Sequence, residues 1–204
     1  MATMRELQPG VWHWQAQHPE WQEGQAWGPE VSSYAIDDGA HVLLFDPVTV
    51  PDEIAQLAES RELVVVLTAP WHERGTHDLV ERFDVPVYVA EPDGPDVTWL
   101  LGNSAYESHL ILAGQGLPPG IEAFAGRQAN DLVFWIEQHH AVICGDTLVD
   151  FGQGLEIPDE WLWDGVTHDQ VVAALRPLLE FPVQLVLPAH GRPTDKPALV
   201  RALS

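Results

Sequence analysis

The chain is poor in positive charge. Its 204 residues hold nine Lys and Arg against 31 Asp and Glu, for a formal net charge of -22. Of the nine, only Lys196 is a lysine. Such a surface repels polyanions, which argues against a nucleic-acid backbone or an anionic membrane face as the principal partner. Cysteine is scarcer still. One cysteine, Cys144, excludes an internal disulfide and any multi-cysteine zinc site. Within the apolar stretch "AVICGD" it reads as a small buried hydrophobe. No stretch approaches the ~20 apolar residues that a membrane span needs. The opening "MATMRELQPG" has no apolar signal region. A cytoplasmic location is therefore expected. No long linker or short-period repeat interrupts the chain, so residues 1–204 are expected to form a single domain with a sizeable core.

The strand signals come early. "VWHWQAQ", "EVSSYAIDD" and "AHVLLFDP" carry β-branched and aromatic residues bounded by Gly, Asp and Pro. "PDEIAQLAESR" reads as a helix with Pro51 in its first turn. "ELVVVLT" is an unbroken apolar run, as a fully buried strand requires. "THDLVERF" is predicted as a helix with Thr76 as N-cap, and "VPVYVAEP" as the next strand. This alternation over residues 42–91 predicts parallel pairing. In the second half, "SHLILAGQ" and "IEAFAG" read as strands around the turn "GLPPG". "DLVFWIEQHHAVICGDTL" reads as a hairpin whose tip exposes His139 and His140. "THDQVVAALRPLLEF" reads as a helix capped by Thr167 or Asp169, with Pro177 kinking or ending it. "VQLVLPAHG" is a last strand and "DKPALVRAL" a terminal helix.

In this order, the segments resemble the metallo-β-lactamase superfamily. "YAIDDGAHVLLFDP" is similar to the family's opening hairpin, which ends in an Asp, here Asp46. "VVVLTAPWHER" lies where the family has a strand, Thr, then H-x-H-x-D-H. "AGRQANDLVFWI" resembles the G-H-T-x-G-S segment and the strand after it. "AVICGDTLV" and "LVLPAHG" resemble the strands that carry the bridging Asp and the final His. The resemblance implies an α+β fold: a four-layer αβ/βα sandwich of two mixed β-sheets flanked by helices. It also implies hydrolase-like descent, with two metals, often zinc, activating a water.

The ligands of such a centre must donate lone pairs at about 2.0–2.2 Å. Anchored on Thr68, the first His position is Ala69 and the second is Trp71. The Asp position holds Glu73 and the next His position holds Arg74. The His that should follow Gly126 is Arg127. Alanine has no donor atom, an indole nitrogen carries its proton, and arginine stays protonated. Asp146 and His190 alone match the ligand pattern unchanged. Two arginines where cations normally sit suggest an ionic cluster of Glu73, Arg74, Arg127 and Asp146 in place of the metals. The reading that follows is a member with its dinuclear site largely lost, non-catalytic or divergent, holding no cofactor and binding a small molecule. The alternative is an active hydrolase with a mononuclear zinc site on Asp146, His190 and His72. A metal-free enzyme would draw its acid or base from His72, Glu73, Asp146 or His190. Taken one at a time, His72 is expected to point out of the loop and His77 to cap or lie along the following helix.

Tryptophan is abundant. Of nine, Trp12, Trp14, Trp21 and Trp27 fall within residues 12–27. Core packing explains most such residues. Trp21, Trp27 and Trp71 could alternatively form an apolar wall for a hydrophobic ligand. The Trp-rich segments, including Trp161 and Trp163, are also where a homodimer contact would form.

Overall fold

The computed structural model describes residues 4–91, 108–114, 117, 120–163 and 165–204. The turn read at residues 116–120 lies, apart from Leu117 and Gly120, outside them. The chain divides into two compact units, Met1–Leu110 and Ile111–Ser204. None of the helices among the described residues is long and apolar enough to cross a membrane.

The first sheet has seven strands in sequential order: β1 (Arg5–Gln8), β2 (Val11–Gln17), β3 (Glu30–Asp37), β4 (His41–Phe45), β5 (Glu62–Val66), β6 (Val87–Ala90) and β7 (Ser108–Ile111). β1 to β4 pair antiparallel, and β4, β5 and β6 pair parallel. The parallel pairing predicted for residues 42–91 is thus present. Its cause is the crossover through α1 (Asp52–Ala58) and α2 (Thr76–Phe83). Alternate residues Val42 and Leu44, then Leu63, Val65 and Leu67, pack with Ile54 of α1 and Leu79 of α2. The intervening Leu43, Phe45, Val64 and Val66 are buried too, which is why these strands read as unbroken apolar runs. The short β1 carried no such pattern and was not predicted. Thr76 does not cap α2. Gly75 occupies the N-cap position and Thr76 is already helical.

His13 of β2 is stacked on Tyr34 at 5.1 Å, with Nε2 3.0 Å from the Ser32 hydroxyl. Burial, helped by the Arg5 charge, lowers its pKa from 6.5 to about 4. The native imidazole therefore binds fewer protons than the unfolded one between these values. The stability this provides is fully present above pH 6.5 and is lost as pH falls towards 4. Solvent screening reduces the effect to about 1–2 kcal/mol. His13→Gln should flatten that part of the stability curve, read from urea midpoints at pH 7 and pH 4.5. Unchanged slopes would show that His13 does not titrate this way.

The second sheet has the order β11-β10-β9-β8, with β8 (Ile121–Gln128), β9 (Asp131–Ile136), β10 (Ala141–Gly145) and β11 (Leu185–Pro188). β8, β9 and β10 pair antiparallel, and β10 and β11 pair parallel. The hairpin predicted over residues 131–148 is β9 and β10. Its tip differs from expectation, because a short 3-10 turn at Glu137–His139 buries His139 to 8% exposure. His140 takes the left-handed conformation that closes the turn. α3 (His168–Leu175) starts at Thr167, which forms a reciprocal capping box with Gln170. A 3-10 turn containing Pro177 follows it, as the missing amide proton demands. α4 (Lys196–Ala202) is capped by the Asp195 carboxylate. Val171, Val172 and Leu175 of α3 and Leu199 of α4 pack with Val133, Val142, Cys144 and Val186 of the sheet.

Candidate functional site

In the first unit, the site residues gather where β4 and β5 end. Asp46 follows β4 in a left-handed conformation, φ 46°. Its carboxylate is buried and well partnered. Oδ1 accepts from the Thr68 backbone N–H at 2.8 Å, and Oδ2 accepts from the Thr68 hydroxyl at 2.6 Å. His72 Nδ1 lies 3.0 Å from the same Oδ2 and 2.8 Å from the Thr68 hydroxyl oxygen. Burial alone would raise the Asp46 carboxyl. The His72 charge and hydrogen bond, the Arg74 charge and the Thr68 hydroxyl outweigh it and hold the carboxyl below its ordinary value. An acceptor carboxylate on Nδ1 fixes the orientation and tautomer of the imidazole. Contrary to the outward orientation that a simple loop histidine would take, His72 is 3% exposed.

The loop that carries these groups is pinned to the chain after β4. Gly75 N–H donates to the Pro47 carbonyl at 2.7 Å, and a Cβ at Gly75 would meet the Val48 carbonyl oxygen at 2.4 Å. Only glycine fits that approach. Arg74, itself left-handed at φ 43°, donates from one guanidinium nitrogen to the carbonyls of Asp46 (3.2 Å) and Ser32 (3.4 Å). Glu73 lines a cavity of about 100 Å³ with Trp71, Arg74, His18, Pro19 and Glu20. Partial burial raises its pKa, the Glu20 charge adds to the rise, and His77 opposes it. The walls of this cavity are mostly polar. Trp71 belongs to them, whereas the Trp21 indole donates to the Trp27 carbonyl at 2.9 Å within its own loop. The apolar wall of three tryptophans is therefore not how these residues are arranged at this cavity.

In the second unit, Arg127 lies where the β8–β9 register shifts between Ala125 and Gln128. Such an irregularity re-aims a side chain. Gly126 permits it, since a Cβ there would stand 1.9 Å from the Thr147 hydroxyl and 2.6 Å from the Asp131 carbonyl oxygen. The Arg127 guanidinium donates from Nε to Asp131 Oδ2 at 2.6 Å and from Nη2 to Asp146 Oδ2 at 3.2 Å. Nη1 donates to the Trp161 carbonyl at 3.0 Å, and the guanidinium carbon lies 5.5 Å from the Trp161 ring centre. Asp146, just after β10, also has Oδ1 3.4 Å from His190 Nε2. Trp161 and Phe151 pack on the His190 ring, at 5.6 and 5.9 Å between ring centres. Arg127, Asp146 and His190 are all buried, and Asp131 is wholly so.

The structure thus brings Arg127, Asp146 and His190 together, and separately joins His72 to Asp46. Glu73 and Arg74 lie beside each other in the first unit. Sequence reasoning missed Asp131 as a partner of Arg127. The signal was there, an acid four residues on across a tight β-turn. It also missed the bond from His72 to Asp46, 26 residues away. Among the described residues, no group of three or more His, Cys, Asp and Glu side chains is placed to hold a metal ion.

No known family's sequence profile matches this chain, and no curated protein sequence does. Solved structures do match. A metallo-β-lactamase from Erythrobacter litoralis, solved with β-mercaptoethanol in its active site, shares 14% identity over 99% of this chain and 94% of its own, at TM-score 0.67. A metallo-β-lactamase from Pontibacter korlensis shares 15% over 100% of this chain and 97% of its own, at TM-score 0.66. The protein TTHA1623, solved in a di-iron-bound form, shares 23% over 86% of this chain and 95% of its own, at TM-score 0.62. At these identities the likeness is one of fold. The chain has the metallo-β-lactamase fold, with its two mixed sheets and their helices, as the resemblance implied.

Proposed function

We propose that this chain is a divergent, hydrolase-like protein of the metallo-β-lactamase fold that has exchanged the dinuclear metal centre for internal ion pairs and binds a small ligand. One observation carries the reading. The Arg127 guanidinium sits on Asp146, the carboxylate that matches the family's bridging ligand, at 3.2 Å. A fixed positive charge there competes with any divalent cation. The rest of the donor set agrees, since Ala69, Trp71 and Arg74 cannot ligate. Residues 1–204 then act as one domain, and the net charge of -22 favours a small molecule over a nucleic acid as partner.

A second reading has its own support. The carboxylate-oriented imidazole of His72 is the form that a ligand or a general base takes. It favours an active hydrolase, in which His72 in the first unit and Asp146 with His190 in the second keep their donor atoms. Elemental analysis separates the two, on protein grown with zinc, iron and manganese and never exposed to chelator. The first reading expects markedly substoichiometric metal and a melting temperature indifferent to chelator. Stoichiometric metal that disappears in His190→Ala, together with an esterase or thioesterase activity lost in the same variant, would establish the second.

A further inference from the structure

The second unit contains another cavity, of about 440 Å³, remote in character from the Arg127 cluster. This volume falls within the range of about 300–1,000 Å³ typical of small-molecule sites. Its wall is a column of rings. Trp135 of β9 lies parallel to His140 at 6.1 Å, interplanar angle 5°, and to Phe181 at 5.0 Å, interplanar angle 10°. Two carboxylates complete it. Glu122 of β8 pairs directly across from Trp135, so both side chains share one face of the sheet. Glu137 stands in the 3-10 turn that follows β9. Among the described residues, no Lys or Arg lines the cavity.

The frame around these groups is held in place. Glu137 N–H donates to the Gly120 carbonyl at 2.9 Å, and Gln184 N–H donates to the His140 carbonyl at 2.8 Å. The Gln184 side-chain amide lies 3.0 Å from His140 Nδ1. The cavity is therefore built on paired backbone and is not a gap between loose loops. Its chemistry selects by charge. An anion would face two carboxylates with no counter-charge, and a neutral molecule would leave both to water. A cation with an apolar body satisfies the carboxylates through its ammonium and the rings through its body.

We propose that this cavity is a binding site for small organic cations, namely protonated amines that carry an aromatic or alkyl body. The proposal does not depend on the reading of the Arg127 cluster. It is tested by calorimetry on the intact chain with phenethylamine, its neutral analogue 2-phenylethanol, and phenylacetate. Phenethylamine should bind at least about fivefold more tightly than the alcohol, and phenylacetate should not bind. Glu122→Gln combined with Glu137→Gln should bring the amine down to the level of the alcohol. Both glutamates are exposed, so the fold tolerates the change. Glu53→Gln with Glu59→Gln, exposed acids of the first unit, should leave binding unchanged. In NMR spectra the Trp135 indole N–H should shift on titration. No amine binding, equal binding of amine and alcohol, persistence of the preference in the Glu122/Glu137 variant, or an equal loss in the Glu53/Glu59 control would each overturn the proposal.

Discussion

Replacing Arg127 with methionine is expected to destabilise the protein by about 3–5 kcal/mol, the typical result of removing one partner from a buried ion pair. Methionine matches the stem in length and keeps its packing, so the loss reports the charge. The substitution takes from Asp131 its 2.6 Å partner and from Asp146 its 3.2 Å partner, in surroundings where neither carboxylate has more than marginal exposure. The urea midpoint at pH 7 should fall by about 1–2 M. Arg127→Lys should be intermediate, because one ammonium cannot reproduce the planar fork that serves Asp131, Asp146 and the Trp161 carbonyl together. Adding Asp131→Asn and Asp146→Asn to Arg127→Met should recover part of the loss, since the charges left unbalanced are then gone. A loss under about 1 kcal/mol for Arg127→Met would mean that the cluster behaves as a surface pair.

Asp46→Ala is the second large effect, at about 3–4 kcal/mol. Three hydrogen bonds to a buried carboxylate disappear, from the Thr68 backbone, the Thr68 hydroxyl and His72. Alanine must also adopt φ 46°. Asp46→Asn tolerates that conformation and keeps an acceptor for the Thr68 N–H, so about 1–2 kcal/mol is expected. The pH dependence has a definite sign. The folded carboxyl is held below its ordinary value of 3.8, so the unfolded chain binds more protons on the acid side. The stability is present above about pH 4 and is lost as pH falls through the lower, folded value. Asp46→Asn should flatten this acid limb in midpoints measured from pH 7 to pH 3. A wild-type slope in the Asn variant would assign the acid sensitivity to other groups. His13 acts in a higher window, between 6.5 and about 4, so the two contributions are separable by pH.

The elements that were legible in the sequence share a physical cause. β5 is an apolar run because both of its faces are buried, and β10 because all its residues are. Thr167 with Gln170, and Asp195 ahead of α4, are local capping chemistry and could be read within a few residues. β1 was illegible because an edge strand with exposed Arg5 and Glu6 carries no burial pattern. The exposed tip expected at His139 failed because a 3-10 turn, and not a two-residue loop, closes the hairpin.

The site divides along the same line. Sequence alone determined which side chains can bind a metal at Ala69, Trp71, Arg74 and Arg127, because donor capacity is a property of the side chain and travels with it. It also determined the charge imbalance and the order of segments that carries the fold. Only the tertiary structure decided the pairings, Arg127 with Asp131 as well as Asp146 and His72 with Asp46, and set Glu73 and Glu20 on the wall of one cavity. Electrostatic partners are chosen by distance and burial, and a separation along the chain of four residues or of 26 encodes neither.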